Sequence, residues 1–240
     1  MNALLEVEGL CKSFGGLQAV KDVSFSVRPA EVFAVIGPNG AGKTTLFNCL
    51  SGALRSDAGQ VRFDGTRIDG APPHEICRHG LVRTFQIVKP FRGMTVAENV
   101  KVAAFSRHPS AREAERAARR VLEDVGMEEL ADVDADTLNV AQLRRLEIAR
   151  ALATEPRLLL LDEMLAGLTG PEAQAMCEQI RGLAARGIAV IVVEHSVPVV
   201  LSLCENALVL NFGEMLTHGR TAEVIRDPRV QEAYLGSTGQ

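Results

Sequence analysis

The sequence predicts an α/β fold built on a mainly parallel sheet, and three observations carry that prediction. Short, uninterrupted apolar runs occur at "EVFAVIG" (31–37), "RLLLLDE" (157–163) and "GIAVIVVE" (187–194). Strands covered on both faces read this way, because neither face needs polar residues. Stretches with helical spacing separate the runs, and strand followed by helix, repeated, marks an α/β architecture. Between the first run and the first helical stretch lies a glycine-rich loop, "GPNGAGKT" (37–44).

Taken in order, the N-terminal third alternates apolar with polar residues. "GQVRFDGTRI" (59–68) is an example, and the pattern suits an antiparallel β subdomain. The run at 31–36 is the first buried strand, and "TTLFNCLSG" after the loop reads as a helix. From about residue 90 to 154 the chain becomes helix-rich. In "SAREAERAARRVLEDVG", Ala111, Ala114, Ala118, Val121, Leu122 and Val125 recur at helical spacing, and Glu115 precedes Arg119 by four residues. Gly126 is a suitable stop. Further on, Leu143, Leu146, Ala149 and Leu152 share one helix face. Asn139 is a strong N-cap for that helix, and Gln142 three residues later makes a pair resembling a capping box. We read residues 1–240 as one domain, with a helical subdomain at roughly 90–154 inserted in the sheet.

Composition narrows the function. Thirty acids against 26 bases give a net charge of −4, which argues against a nucleic-acid partner because such proteins carry a clustered basic face. The chain has no tryptophan and one tyrosine, so base-stacking platforms are not expected. Five cysteines, an odd number spread far apart, predict reduced thiols and no metal-like pairs. "MNALLEVEGLCKSF" has neither a basic leader nor a signal-peptide core. The longest apolar runs are far short of the ~20 residues that cross a bilayer.

The chemistry is concentrated at strand ends. "GPNGAGKT" fits G-x-x-x-x-G-K-[ST], and it sits between an apolar strand and a helix, as that loop requires. Gly37, Pro38, Asn39, Gly40, Ala41, Gly42, Lys43, Thr44 and Thr45 are therefore expected to wrap the phosphates of a nucleoside triphosphate with backbone N–H groups and a helix start. Lys43 would reach the β- and γ-phosphates, and the Thr44 hydroxyl would sit on Mg²⁺. Asp162 closes the second apolar run, where a P-loop protein holds Mg²⁺. Glu163 follows it and can serve as general base to an attacking water. His195 closes the third run and is expected to hydrogen-bond the γ-phosphate.

With these motifs in place, the sequence resembles the ATP-binding subunits of ABC transporters, and more narrowly those of branched-chain amino-acid importers. The resemblance rests on "SFGGLQAVKDVSFSV", "GPNGAGKTTLFNCLSG", "GLVRTFQIVKPFRGMTVAENV", "RRLEIARALATEPRLLLLDE", "AGL", "VEH" and "EAYLG", in order over nearly the whole chain. It implies a P-loop NTPase fold of the ABC ATPase type, with ATP and Mg²⁺ as ligands. By the same resemblance Phe14 stacks on adenine. Gln86 touches Mg²⁺ and links nucleotide state to the membrane subunit. Ala166–Thr169 cross a dimer interface, where Thr169 replaces the usual Asp or Asn and weakens the contact. The resemblance also implies two ATP-binding subunits, identical or paralogous, packed head to tail on integral-membrane permease subunits. An extracytoplasmic solute-binding protein would serve them indirectly. The chain would then be peripheral, on the cytoplasmic face of the inner membrane.

The segment Leu138, Asn139, Val140, Ala141, Gln142 departs from the family's LSGGQ. Its task is to start a helix whose N–H groups and dipole face the partner's γ-phosphate. The helix start survives, but Val140 and Ala141 put side chains where glycines allow close approach. Met164 and Gly170 replace prolines common in the family. Because Lys43, Thr44, Gln86, Asp162, Glu163 and His195 are all present, the expectation is an active ATPase with an altered contact to its partner. The alternative is a catalytically weak half of an asymmetric pair. A soluble ABC ATPase acting on nucleic acid or ribosomes would call for tandem motors or basic patches. A GTPase would need N-K-x-D, which this chain lacks.

Overall fold

The computed structural model describes residues 3–84 and 89–235. The strands are β1 (Leu5–Phe14), β2 (Leu17–Val27), β3 (Val32–Ile36), β4 (Ala58–Phe63), β5 (Thr66–Arg67), β6 (Leu81–Arg83), β7 (Leu158–Asp162), β8 (Ala189–Val193), β9 (Asn206–Asn211) and β10 (Glu214–Arg220). The helices are α1 (Lys43–Leu50), α2 (Pro73–His79), α3 (Val96–Ala104), α4 (Ala111–Asp124), α5 (Val140–Leu152), α6 (Gly170–Ala185), α7 (Val197–Leu203), α8 (Thr221–Val224) and α9 (Pro228–Leu235). The strands form one sheet in the order β5-β4-β1-β2-β10-β9-β3-β8-β7-β6. The limb β9-β3-β8-β7-β6 is parallel, as expected. The N-terminal limb β5-β4-β1-β2 is antiparallel.

The uninterrupted apolar runs are explained by two cores. Successive side chains on a strand point to opposite faces. Val32, Ala34 and Ile36 of β3 enter the core beneath α3–α6, while Phe33 and Val35 enter the core that contains α1. In β7, Leu159 and Leu161 join the first core and Leu158 and Leu160 the second. Asp162 continues the second set, so the alternation sends its carboxylate toward the face covered by α1.

The segment between β6 and β7 is held by caps and small residues. The Thr95 hydroxyl accepts from the Glu98 N–H, and Glu98 accepts from the Thr95 N–H, which closes the start of α3. Ser110 caps α4 through the Glu113 N–H. Ala114, Ala117 and Ala118 are buried where α4 meets its neighbours, and Leu122 is fully enclosed. Truncating Leu122 to Ala would cost about 2–5 kcal/mol. Asn99, fully buried, accepts from the Phe91 N–H and donates to the carbonyls of Phe91 and Thr95. That gives the "MTVAEN" stretch a structural task. All five cysteines are free. Among the described residues, no helix is long and apolar enough to cross a membrane.

Candidate functional site

Three parallel strands end side by side. Val193 of β8 pairs with Val35 of β3 on one side and with Asp162 of β7 on the other. The chain then leaves β3 into the phosphate loop, β7 into Glu163 and β8 into Glu194 and His195. Neighbouring strands lie about 4.8 Å apart, so these exits share one small area of the sheet edge.

The loop folds as its glycines demand. Gly37, Gly40 and Gly42 have φ of +150°, +76° and +102°. A Cβ on Gly37 would lie 2.1 Å from the Leu210 carbonyl oxygen, and one on Gly42 would lie 2.2 Å from that of Ala19. Glycine is therefore required at both positions. Gly42 precedes α1 without any capping side chain, and the first turn of α1 carries no acid. Its N–H groups and positive dipole end are left for an anion.

Lys43 is buried, and its ammonium donates to the carbonyls of Gly37 (2.6 Å) and Pro38 (2.9 Å). Burial lowers its pKa, while the charges of Glu163 and Asp162 push it back up. The three groups therefore lie within electrostatic reach of one another. Asp162 is 2% exposed. Glu163 adopts the left-handed backbone conformation (φ +50°), with its N–H bonded to the Val193 carbonyl at 3.0 Å. A bulky residue seldom takes that conformation; here it swings the side chain off the strand line. His195 Nε2 lies 2.9 Å from Glu163 Oε1, so the expected general base and the expected γ-phosphate ligand are in contact. Pro38, Asn39, Ala41 and His195 form one wall of a cleft of about 900 Å³ whose other wall is Phe212, Leu216 and Tyr234; Lys43, Asp162, Glu163 and Phe14 do not line it.

The remaining expected residues fall as follows. Phe14 ends β1 and is 48% exposed, with the Lys12 ammonium 5.6 Å from its ring centre. Its hairpin partner strand runs through Ala19, directly over Gly42. Gln86 lies outside the described residues. Asn139 Oδ1 accepts from the Gln142 N–H at 2.9 Å, and Gln142 Oε1 accepts from the Asn139 N–H at 3.0 Å, a complete capping box. It leaves the N–H groups of Val140 and Ala141 as donors at the start of α5, beneath a Val140 side chain that is 55% exposed. Among the described residues, no hydrogen bond or ion pair joins Asn139–Gln142 to the phosphate loop, Asp162, Glu163 or His195. The Thr169 N–H and hydroxyl both donate to Glu172 of its own helix, at 2.8 and 2.7 Å.

Three features were not anticipated. Arg83 pairs with Asp162 at 2.9 Å. Glu194, buried beside His195, accepts from the Leu165 N–H at 3.1 Å, and burial pushes its pKa up to about 7. Tyr234 of α9 reaches the phosphate loop; burial raises its phenol pKa, and a hydrogen bond from the Gly37 N–H partly offsets this.

A P-loop ATPase of the ATP-binding cassette type is what this sheet edge defines. A family model described as ABC transporter matches residues 20–166, and one described as branched-chain amino acid ATP-binding cassette transporter matches residues 214–239. The chain belongs to the ABC transporter family. It is 44% identical, over 97% of its length and 98% of the relative's, to the high-affinity branched-chain amino acid transport ATP-binding protein BraF of Pseudomonas aeruginosa. It is 39% identical to LivG, the corresponding protein of Escherichia coli K12, over 97% of this chain and 98% of that protein. A solved ATP-binding cassette of an ABC transporter in its ADP conformation superposes with a TM-score of 0.90 at 32% identity, covering 98% of this chain and 100% of that one. The chain is thus an ATP-binding, ATP-hydrolysing subunit homologous to the ATPases of branched-chain amino-acid importers.

Proposed function

We propose that this chain is the motor of an importer for branched-chain or related amino acids. In this reading it works as one of two ATP-binding subunits on integral-membrane permeases, at the cytoplasmic face of the inner membrane, with an extracytoplasmic binding protein delivering the solute. The 240 residues act as one domain whose helical part, about 90–154, presents α5 to the partner. The observation that carries the reading is the division of the site. Lys43, Asp162, Glu163 and His195 lie within reach of one another in one chain, while among the described residues no hydrogen bond or ion pair ties the start of α5 to them.

In the cycle, ATP binds with its phosphates in the loop 37–45 and its adenine on Phe14. Lys43 and the N–H groups at the start of α1 take up the charge of the β- and γ-phosphates. Glu163 removes a proton from water as the water's oxygen bonds to the γ-phosphorus. The bond to the β–γ bridging oxygen breaks, and ADP and phosphate are released. His195 holds Glu163 and the γ-phosphate in register. The Thr44 hydroxyl and the Asp162 carboxylate are hard oxygen donors that fit Mg²⁺, leaving most of its coordination shell to phosphate and water. The ion would neutralise phosphate charge, and Gln86 is assigned to the same shell. The N–H groups of Val140 and Ala141 meet the partner's γ-phosphate.

A second reading, a catalytically weak half of an asymmetric pair, is favoured by the exposed Val140 side chain at that helix start. The test is steady-state hydrolysis by the assembled transporter with the partner ATPase disabled, comparing the natural chain with Glu163→Gln. A large loss supports the motor reading. Equal rates leave only the weak half-site.

A further inference from the structure

Arg83 is the last residue of β6, and its register partner on β7 is Leu160, two residues before Asp162. Leu81 of β6 and Leu160 of β7 enter the core around α1, so alternation brings Arg83 and Asp162 to that same face. The guanidinium Nη2 donates to Asp162 Oδ2 at 2.9 Å, with the two side chains only 10% and 3% exposed. Nη1 donates to Asn48 Oδ1 in α1, and the guanidinium carbon lies 5.7 Å from the centre of the Phe47 ring. Among the described residues, Nε is buried without a hydrogen-bond partner.

This is a costly arrangement. A buried ion pair recovers its desolvation penalty only with good geometry and full hydrogen bonding, and an apolar residue often serves stability as well or better. The orphaned Nε shows that the bonding here is incomplete. The pair's location points to another use. Asn48 and Phe47 belong to the helix that begins with Lys43 and Thr44, so Arg83 ties that helix to the Asp162 carboxylate.

We propose that Arg83 is a positioning residue for magnesium-dependent nucleotide binding. It holds Asp162 by Oδ2 and directs Oδ1 toward the Mg²⁺ of bound MgATP, in fixed relation to Thr44. The inference rests on Asp162 being the magnesium carboxylate. A guanidinium that merely filled the metal's place would have the opposite signature, because its removal would relieve like-charge repulsion and tighten Mg²⁺.

The test is binding of a fluorescent ATP analogue to the full chain, measured in EDTA and along a magnesium titration. Loss of an outer-shell partner of a metal ligand typically weakens metal affinity by about 10–100-fold, so Arg83→Gln should raise the half-maximal Mg²⁺ concentration by that factor. Affinity in EDTA should stay at the natural value. Asn48→Ala should shift the magnesium midpoint in the same direction by less, and Arg83→Lys should restore part of the loss. Circular-dichroism melting checks folding; if Arg83→Gln does not fold, Asn48→Ala decides. A natural or tightened magnesium midpoint in the folded variant overturns the proposal. Asp162→Asn separates the two levels. If it leaves the midpoint unmoved, the metal reading of Asp162 falls with the proposal. If it moves the midpoint and Arg83→Gln does not, this inference alone fails.

Discussion

Two helix starts in this chain are made in opposite ways. α1 begins at Gly42, with no capping side chain and no acid in its first turn, inside a loop so tight that a Cβ would strike backbone. α5 begins at Asn139, closed by a reciprocal capping box, with the apolar Val140 exposed beside it. The first has no side-chain cap on its N–H groups, and its opening residue Lys43 lies within electrostatic reach of Asp162 and Glu163. The second satisfies part of its own donors and, among the described residues, has no hydrogen bond or ion pair to that cluster. A helix end that must take a phosphate alone is built from glycine and enclosed. One that completes a site on another molecule has to be stable while uncovered, and a side-chain cap provides that.

The comparison can be broken most strongly at Glu163. Glu163→Gln keeps the size of the side chain and removes the base. Hydrolysis by the assembled transporter should fall by about 10²–10⁴, with ATP binding retained; loss of binding instead would show that Glu163 shapes the α1 side of the site.

The next effect belongs to Glu194, which buttresses the same edge through Leu165. Its folded pKa, about 7, lies above the ordinary value of 4.5 because burial disfavours the charged form. The folded chain therefore holds a proton that the unfolded chain has lost. The resulting stability is complete below pH 4.5 and disappears as pH rises through 7, a change of about 3 kcal/mol. Melting temperatures of the natural chain and Glu194→Gln, compared between about pH 5 and pH 8, should show the natural chain losing stability relative to the variant. A flat difference contradicts the assignment.

Smaller effects sharpen the contrast between the two starts. Asn139→Ala removes a cap worth about 1 kcal/mol, to be read as lower unfolding stability with ATP affinity of the single chain unchanged. Phe14→Ala should weaken ATP binding by the loss of a stacking contact worth about 0.5–1.5 kcal/mol, measured by nucleotide titration.

How much of this was legible in the sequence follows the range of each interaction. The phosphate loop and the three strand ends could be read because each is a contiguous stretch whose apolar run fixes the strand and whose next residue fixes the chemistry. The Asn139–Gln142 box could be read for the same reason, since its partners are three residues apart. Arg83 could not, because its meaning lies in Asn48 and Asp162, 35 and 79 residues away. Glu194 reads as part of an apolar strand's exit until Leu165 is seen beside it. Tyr234 could be quoted in "EAYLG", but nothing local shows that α9 reaches Gly37. That the Thr169 hydroxyl donates to Glu172 at the start of α6 emerges only in the fold.

The most direct test of a site divided between two chains is Val140→Asp. An acid in the first turn favours the helix at a position already exposed, so the fold should be kept, while its charge opposes a γ-phosphate offered by the partner. ATP affinity of the single chain and hydrolysis by the assembled transporter are then measured side by side. Unchanged affinity with hydrolysis lost is the predicted result. Weakened ATP binding by the single chain would place the start of α5 in that chain's own site and contradict the account.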